Sequence, residues 1–371
     1  MTKPEFVTPE AGMPVLPPGV MTRRVFSQRA LAGIAGSGVL ASALAACGNQ
    51  AGSPSAPAAK AGGPLAMQSS WVPDAEFTGY FEGIKGGYYK KVGLDYQFIP
   101  GGSSISPESV VIEGKAQLAL SEPDLTASIA AKQGAPFKII GAQFQKNPIG
   151  IMSLPKSNIH GPHDLIGKKV GVPSVNQLTI AALFKVNGIN PSDVHILPYS
   201  YDPTPVANGE LDAAIAFVTT DPFLLLSKGI KTNTFLLADY GVELYNDAMV
   251  VTEDTLKNRR ADLVKFIKAS SAAWNQVITD TANRKQYIDL VTQDFGKSLG
   301  DSYNSQLFQL EAEIPLMTSP VTKAKGLYWM DQAGIDGNLK TIELLKIKAP
   351  PDLFDTSILE EAYADGPHPA L

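Results

Sequence analysis

The chain has 371 residues, of which 44% are hydrophobic and 18% are charged, so it is long and apolar enough to form two packed domains. Its formal net charge is −5, and it has no run of basic residues that could neutralise phosphates, which argues against a nucleic-acid partner. Because the chain contains a single cysteine, Cys47, no intrachain disulfide can form.

Residues 1–46 have the pattern of an N-terminal extension followed by an export signal. Thr22-Arg23-Arg24-Val25-Phe26 is a twin-arginine arrangement, and residues 30–46 form an apolar run too short and too rich in glycine for a comfortable bilayer span. The run ends in Leu44-Ala45-Ala46-Cys47, which resembles a bacterial lipobox. We therefore expect Cys47 to be the lipidated first residue of a mature, membrane-anchored protein outside the cytoplasm.

Several alternatives remain open for this end of the chain. The apolar run could be an uncleaved transmembrane anchor with an incidental cysteine, and translation could begin at Met1 or at Met21. Export could use the twin-arginine route or the general secretion route. Residues 47–64 are rich in Gly, Ser, Ala and Pro, which predicts a flexible tether, so the fold should begin near Leu65.

The first predicted strand–loop–helix–strand unit spans residues 65–99. Apolar residues from Phe77 to Val92 recur at three- and four-residue intervals, as on one face of a helix, and Gly93 suits its C-terminus. In such a unit the loop after the first strand lies at the sheet edge where open α/β folds bind ligands. That loop and the start of the helix carry an aromatic surface beside carboxylates, which predicts one wall of a small-molecule cleft: Trp71, Asp74, Glu76 and Tyr80.

A family resemblance lies in the same unit. Trp71-x-Pro73-Asp74-x-Glu76, then Gly-Gly-Tyr-Tyr-Lys-Lys-Val-Gly-Leu-Asp at 86–95 and Pro-Gly-Gly at 100–102, resemble the opening of ABC-transporter solute-binding proteins. The most similar branch binds thiamine precursors and is related to nitrate, taurine and sulfonate binders. Where the pyrimidine-synthesising relatives often have His, this chain has Phe77.

The resemblance implies an α/β fold of the periplasmic-binding-protein-like type II, with two lobes, a ligand cleft between them and a helical C-terminal extension. Residues 162–172 and 208–217 continue it through the second lobe. We expect lobe I to comprise 65–154 and 249–371 and lobe II 155–248, with a hinge near Leu154 and Val250. Helical periodicity predicts C-terminal helices from about Leu263, around 285–295, at 303–313 and at 327–334.

Polar and aromatic residues at predicted strand ends complete the candidate site. An aromatic ring there can stack on a planar ligand, and a carboxylate can accept hydrogen bonds from its N–H groups, although core packing and helix capping explain the same residues without a ligand. Gly102 and Ser103 before a helix could take an anionic group, but the strand-end loops contain no arginine. The candidates are Trp71, Asp74, Glu76, Tyr80, Gly102, Ser103, Glu122, Gln145, Asn147, Ser174, Tyr201, Phe217, Thr219, Asp221 and Asp239.

Signatures of catalysis are missing from the sequence. It lacks Gly-x-Ser-x-Gly, Walker, His-Glu-x-x-His and Cys-x-x-Cys motifs, and the His160-x-x-His163 pair has no third ligand nearby. We therefore expect no catalytic residues, no metal and no cofactor. The function expected is capture of a small heteroaromatic nitrogenous solute, first a thiamine-precursor pyrimidine, by a monomer that delivers it to an ABC permease and its ATPase. Riboflavin, sulfonate- or nitrate-type anions, a synthase-like enzyme and a non-binding lipoprotein scaffold are the alternatives.

Overall fold

The computed structural model describes residues 63–371. The predicted export signal, Cys47 and the tether up to residue 62 lie outside the described residues. Two five-stranded sheets organise the described part. Its strands are β1 (Leu65–Gln68), β2 (Tyr96–Ile99), β3 (Leu118–Ser121), β4 (Phe137–Phe144), β5 (Ile149–Ser153), β6 (Lys169–Val172), β7 (His195–Pro198), β8 (Ala213–Phe217), β9 (Asn233–Leu236) and β10 (Asn246–Thr252).

The two sheets repeat one strand arrangement. The first has the order β2-β1-β3-β10-β4 and the second β7-β6-β8-β5-β9. In each sheet one inner strand, β10 or β5, runs antiparallel to both of its neighbours, whereas the other ladders formed by β1 and β6 are parallel. β5 is the first strand after the chain passes from the first sheet to the second, and β10 is the first strand after it returns.

The chain crosses between the sheets earlier than the sequence suggests. β5 pairs with β8 and β9 of the second sheet, so the first crossing is at residues 145–148 and not near Leu154. The return crossing is at residues 237–245, before β10 joins the first sheet, and not near Val250. Continuous apolar strands conceal these points, because a buried strand has the same composition in either sheet.

Helices cover both sheets and form most of the chain after residue 253. None of those in residues 63–371 is long and apolar enough to cross a membrane. They are α1 (Thr78–Lys85), α2 (Tyr88–Lys91), α3 (Pro107–Ile112), α4 (Pro123–Gln133), α5 (Gln177–Val186), α6 (Thr204–Ala207), α7 (Asp221–Leu226), α8 (Glu253–Asn258), α9 (Arg260–Thr279), α10 (Arg284–Asp289), α11 (Tyr303–Met317), α12 (Pro320–Lys325), α13 (Gln332–Leu344) and α14 (Ser357–Ala362).

Two helix predictions need correction. The helix expected through Val92 is broken into α1 and α2 at Gly87, whose φ of 73° is the left-handed conformation that glycine tolerates. The helix expected at 327–334 is wrong, because Tyr328 has a φ of 70° and α13 begins only at Gln332. The left-handed φ of 63° at Gly93 confirms the predicted helix end before β2.

The C-terminal helices bracket both crossings. The backbone amides of Gln145 and Lys146 donate to the carbonyl of Leu316 on α11 at 2.9 and 3.1 Å. The amide of Tyr245 donates to Asn338 Oδ1 on α13 at 2.9 Å. α11 and α13 therefore support the segments on which any movement of one lobe against the other must turn.

Candidate functional site

An aromatic contact joins the two sheets at the predicted cleft. Trp71 follows β1 of the first sheet and Tyr201 follows β7 of the second, and their ring centroids are 5.8 Å apart at an interplanar angle of 66°. Both side chains are half-buried, unlike the fully buried aromatic residues of the core. The structure therefore brings together the two aromatic residues that the sequence places on opposite lobes.

Tyr201 is held in an unusual conformation. Its φ of 58° lies in the left-handed region, which costs a residue with a Cβ about 1 kcal/mol or more. Its hydroxyl donates to Oδ1 of Asn176, a fully buried residue just before α5. Nδ2 of Asn176 has no hydrogen-bond partner among residues 63–371. A buried donor without a partner costs about 1–3 kcal/mol, so an acceptor on a ligand beside Tyr201 would stabilise this corner of the cleft.

The Pro-Gly-Gly segment supports the Trp71 loop. The Gly101 amide donates to the carbonyl of Trp71 at 2.9 Å and to Ser69 Oγ at 2.8 Å. A Cβ at Gly101 would lie 2.2 Å from the Ser69 carbonyl oxygen, so only glycine allows this approach. Gly102 continues the loop, and Ser103 is exposed. The segment therefore positions Trp71.

Four carboxyl groups are buried behind Trp71. The residues are Asp74 (6% exposed), Glu76 (4%), Asp247 (1%) and Glu313 (0%), and we call them the acidic cluster. The Ser70 hydroxyl links two of them, donating to Asp247 Oδ1 at 2.6 Å and lying 3.4 Å from Glu76 Oε1. Two members of the cluster, Asp74 and Glu76, are sequence-predicted site residues.

Burial dominates the acid–base behaviour of the cluster. It raises the pKa of Asp74 to about 7, although hydrogen bonds from Gln309 and the Glu76 amide oppose the shift. Burial, together with the charge of Asp247, raises the pKa of Glu76 well above its usual range. Burial and the charge of Asp74 do the same for the pKa of Glu313. The carboxyls of the cluster therefore hold their protons more tightly than free carboxyls do.

A second set of acidic groups lies where α4 faces α5 across the cleft. Thr179 Oγ1 on α5 is 3.5 Å from Glu122 Oε2 and 3.5 Å from Asp124 Oδ2, which are long contacts. Burial, then the charge of Asp124, raises the pKa of Glu122 well above its usual range, and burial raises the pKa of Asp124 to about 6. The Glu122 side chain makes no capping bond to α4, which leaves its carboxyl free of the capping role considered from the sequence.

The end of β8 supplies the third part of the site. Asp221 accepts from the Phe217 amide at 3.0 Å, and burial raises its pKa to about 7. The Phe217 ring meets Phe144 of the first sheet edge-on, with centroids 6.0 Å apart. Thr219 Oγ1 donates to Glu313 Oε1 at 3.3 Å, which joins the end of β8 to helix α11. The structure therefore brings Phe217, Thr219 and Asp221 to the cleft edge of the second sheet.

The remaining candidates lie elsewhere or serve the framework. Tyr80 is fully buried against Phe266 and Trp274 between α1 and α9, which makes it a packing residue rather than a cleft-surface one. Ser174 and Asp239 are exposed, and Asp239 pairs with Lys146 at 2.6 Å. Gln145 and Asn147 belong to the first crossing and line a hollow of about 280 Å³ beside α13, where Asn147 Nδ2 donates to the Tyr245 carbonyl at 3.3 Å.

Several polar groups of the cleft were not among the sequence-predicted residues. Asp247 has a φ of 47° at the start of β10, and the apolar run that follows it disguised it as the edge of a core strand. Glu313 comes from α11, far along the chain from the strand ends that carry the predicted residues. The other polar residues that were not predicted are Ser70, Gln143, Asn176 and Thr179.

The buried carboxyls of the site have no basic partners in the described part of the chain. None of the ion pairs within residues 63–371 includes Asp74, Glu76, Glu122, Asp124, Asp221, Asp247 or Glu313. Residues 63–371 also contain no group of three or more His, Cys, Asp or Glu side chains arranged to hold a metal ion. Buried carboxyls without basic partners favour a ligand that donates hydrogen bonds or carries positive charge.

The repeated strand order, the two crossings and the cleft between the sheets define a protein with the periplasmic-binding-protein fold. The periplasmic aliphatic sulphonate-binding protein SsuA of Escherichia coli matches it with a TM-score of 0.60 and 14% sequence identity, over 76% of this chain and 87% of that chain. The chain belongs to the NMT1/THI5-like family, whose sequence model matches residues 74–283.

Two relatives of the chain are named for the compounds that they bind. The riboflavin-binding protein RibY of Chloroflexus aurantiacus is 23% identical over 278 residues, which cover 72% of this chain and 76% of that protein. The formylaminopyrimidine-binding protein of Halalkalibacterium halodurans is 24% identical over 215 residues, covering 56% of this chain and 64% of that protein. Both names refer to binding proteins for nitrogen-containing rings.

Proposed function

We propose that the protein is the solute-binding component of an ABC importer and that it captures a small heteroaromatic nitrogenous compound, first a thiamine-precursor pyrimidine. Trp71 and Tyr201, which face each other from the two sheets beside buried carboxyls, are the observation that carries this proposal. A flat ring fits an aromatic wall, and its amino or ring N–H groups fit carboxyl acceptors. Riboflavin is the second candidate, because one relative is named for that ligand.

Binding is the whole mechanism in this proposal. Two contacts between the lobes, Trp71 with Tyr201 and Thr219 with Glu313 of α11, would form only when the lobes are closed. A ligand that adds contacts to both lobes shifts the population toward that form. The permease and its ATPase would then recognise the closed form of the monomer. The protein would act outside the cytoplasmic membrane, to which lipidated Cys47 would attach it.

Two alternatives receive less support from the site. A sulfonate or nitrate would meet the buried carboxyls of the cleft, none of which forms an ion pair with a basic side chain within residues 63–371. Such surroundings are unfavourable for an anion. The synthase-like reading depends on a histidine where this chain has Phe77, and that ring is fully buried against Phe98 with centroids 5.4 Å apart. Phe77 therefore fills the core and offers no acid or base.

A thermal-shift screen tests the proposal. The body from Gly48 onward is measured with pyrimidines, flavins, sulfonates and nitrate, and a ligand at about 100 times its Kd adds about 2.7 kcal/mol of stability. We expect a response to a pyrimidine or a flavin that Trp71→Ala removes. Trp329→Ala is the matched control, since Trp329 is also half-buried but packs against Tyr363 away from the cleft. Responses to sulfonates or nitrate alone, or to nothing in the panel, would contradict the proposal.

A further inference from the structure

We propose that Glu313 on α11 contacts the ligand directly and selects for an N–H donor, such as an exocyclic amino group, over an anion. The inference rests on the proposed function and adds to it the residue that decides the ligand class. Glu313 lies beyond residues 74–283, the part of the chain that the family model matches, so the family comparison does not assign it a role.

The two oxygens of the Glu313 carboxyl have different surroundings. Oε1 accepts from Gln309 Nε2 at 3.0 Å and from Thr219 Oγ1 at 3.3 Å. Oε2 is fully buried and has no hydrogen-bond partner within residues 63–371. Oε1 therefore fixes the side chain in place and Oε2 remains available. A buried carboxyl oxygen without a partner is costly, so a donor supplied by the ligand would be a favourable partner.

None of the groups that face Glu313 lies within hydrogen-bond distance of Oε2. Asp74 comes from the loop after β1, Glu76 from the 3₁₀ turn that follows it, and Asp247 from the start of β10. All three are acidic, and the remaining neighbours, Gln309 and Thr219, already donate to Oε1. An anionic ligand would add to this repulsion, whereas an amino or amidine group would relieve it.

The position of α11 couples such a contact to lobe closure. The helix meets the first lobe where Gln306 Oε1 accepts from the Ala75 amide at 2.6 Å. It meets the second lobe through Thr219 and through Phe308, whose ring stacks on Phe223 with centroids 4.8 Å apart. A ligand N–H bound to Oε2 would therefore stabilise the helix that spans both sides of the cleft.

The first experiment measures the Kd of the aminopyrimidine 5-hydroxymethyl-2-methylpyrimidin-4-amine, and of riboflavin, by titration calorimetry near pH 8. We expect Glu313→Gln to weaken binding of the aminopyrimidine about tenfold or more, because its amide presents a donor where the ligand also donates. Glu311→Gln is the matched control, since Glu311 is exposed on the same helix, and its effect should stay within about twofold. Unchanged affinity in Glu313→Gln would overturn the inference and leave the proposed function intact.

A second variant separates ligand contact from mere positioning. Thr219→Val removes the donor to Oε1 but leaves Oε2 as it is, so it should weaken binding less than Glu313→Gln does. Equal losses in the two variants would mean that Glu313 acts only by holding Thr219, which contradicts direct contact. Binding of sulfonates or nitrate in preference to ring compounds by the wild type would overturn the selection for an N–H donor.

A ligand-free measurement decides the inference even if no compound in the panel binds. Burial and the charge of Asp74 raise the pKa of Glu313 because they make its charged form costly. Glu313→Gln should therefore raise the Tm of the ligand-free protein, and the gain should be larger near pH 8 than at about pH 5. A lower Tm in the variant at both pH values would show that Glu313 is a structural hydrogen-bonding residue and would overturn the proposal. A panel without any binder would contradict the proposed function, and the Tm comparison would still decide the role of Glu313.

Discussion

Two aromatic regions of this protein use the same residue types for different ends. Between α1 and α9, Tyr80, Phe266 and Trp274 are fully buried, and a Cβ at Gly79 would lie 2.1 Å from the Trp274 ring. In the cleft, Trp71 and Tyr201 are half-buried and meet across the two sheets. The core is filled by its own side chains, whereas the cleft leaves aromatic surface that a ligand can cover.

Unpartnered polar atoms alone do not separate the two regions. Within residues 63–371, Trp274 Nε1 in the core lacks a hydrogen-bond partner just as Glu313 Oε2 does. The difference is that the cleft groups are carboxyls, whose burial in the charged form is far more costly than that of an indole N–H. Buried carboxyls beside partly exposed aromatic rings therefore distinguish the cleft from the core. A buried indole N–H such as that of Trp274 does not.

The largest expected effect is the loss of stability when the buried Trp274 is removed from the core. Trp274→Ala should lower the free energy of unfolding by about 3–5 kcal/mol, because it leaves a large cavity between α1 and α9. Trp71→Ala should change stability far less but weaken ligand affinity by about 1–3 kcal/mol. Urea unfolding and calorimetric titration of both variants measure the two effects. Equal stability losses would show that Trp71 is a core residue too.

The next effect is a dependence of stability on pH that runs against ordinary acid unfolding. The folded protein raises the pKa of Asp74 to about 7, of Asp124 to about 6 and of Asp221 to about 7, so it binds these protons more tightly than the unfolded chain. The stabilisation is complete below the unfolded pKa values and is lost as the pH rises through the folded ones. The ligand-free protein should therefore lose a few kcal/mol between about pH 5 and pH 8.

Urea midpoints at several pH values measure this slope. Asp221→Asn should flatten it, because the amide has no proton to lose, while Asp289→Asn on the exposed side of α10 should leave it unchanged. A midpoint that rises steadily from acidic to neutral pH would contradict the cost assigned to the buried carboxyls. An added aminopyrimidine should stabilise the protein more at the higher pH, where the carboxyls can accept its donors fully.

The smallest effect concerns a candidate that the structure places outside the cleft. Asp239 and Lys146 form a partly exposed ion pair between the two crossings. Asp239→Asn should change the free energy of unfolding by less than about 1 kcal/mol and ligand affinity by less than about twofold. Urea unfolding of the variant measures the first effect, and titration calorimetry measures the second. A large loss of affinity would show that Asp239 belongs to the binding site after all.

Local patterns in the sequence predicted the α/β class and part of the candidate site. The alternation of strands and helices, the Gly93 helix end and the loop motif around Trp71 predicted an α/β protein with a cleft, and the periplasmic-binding-protein fold confirms that prediction. Trp71, Asp74 and Glu76 follow β1 directly, so their position at the sheet edge follows from one local rule. The choice of ligand stays a prediction.

Only the tertiary structure decided which distant groups join that edge. Asp247 reaches it because β10 returns to the first sheet between β3 and β4, and Glu313 because α11 contacts both lobes. Neither position has a local signature, since an acid before an apolar strand or on an amphipathic helix is ordinary in any sequence. Periodicity reports which face of an element is buried, whereas a binding site is assembled by contacts between elements far apart in the chain.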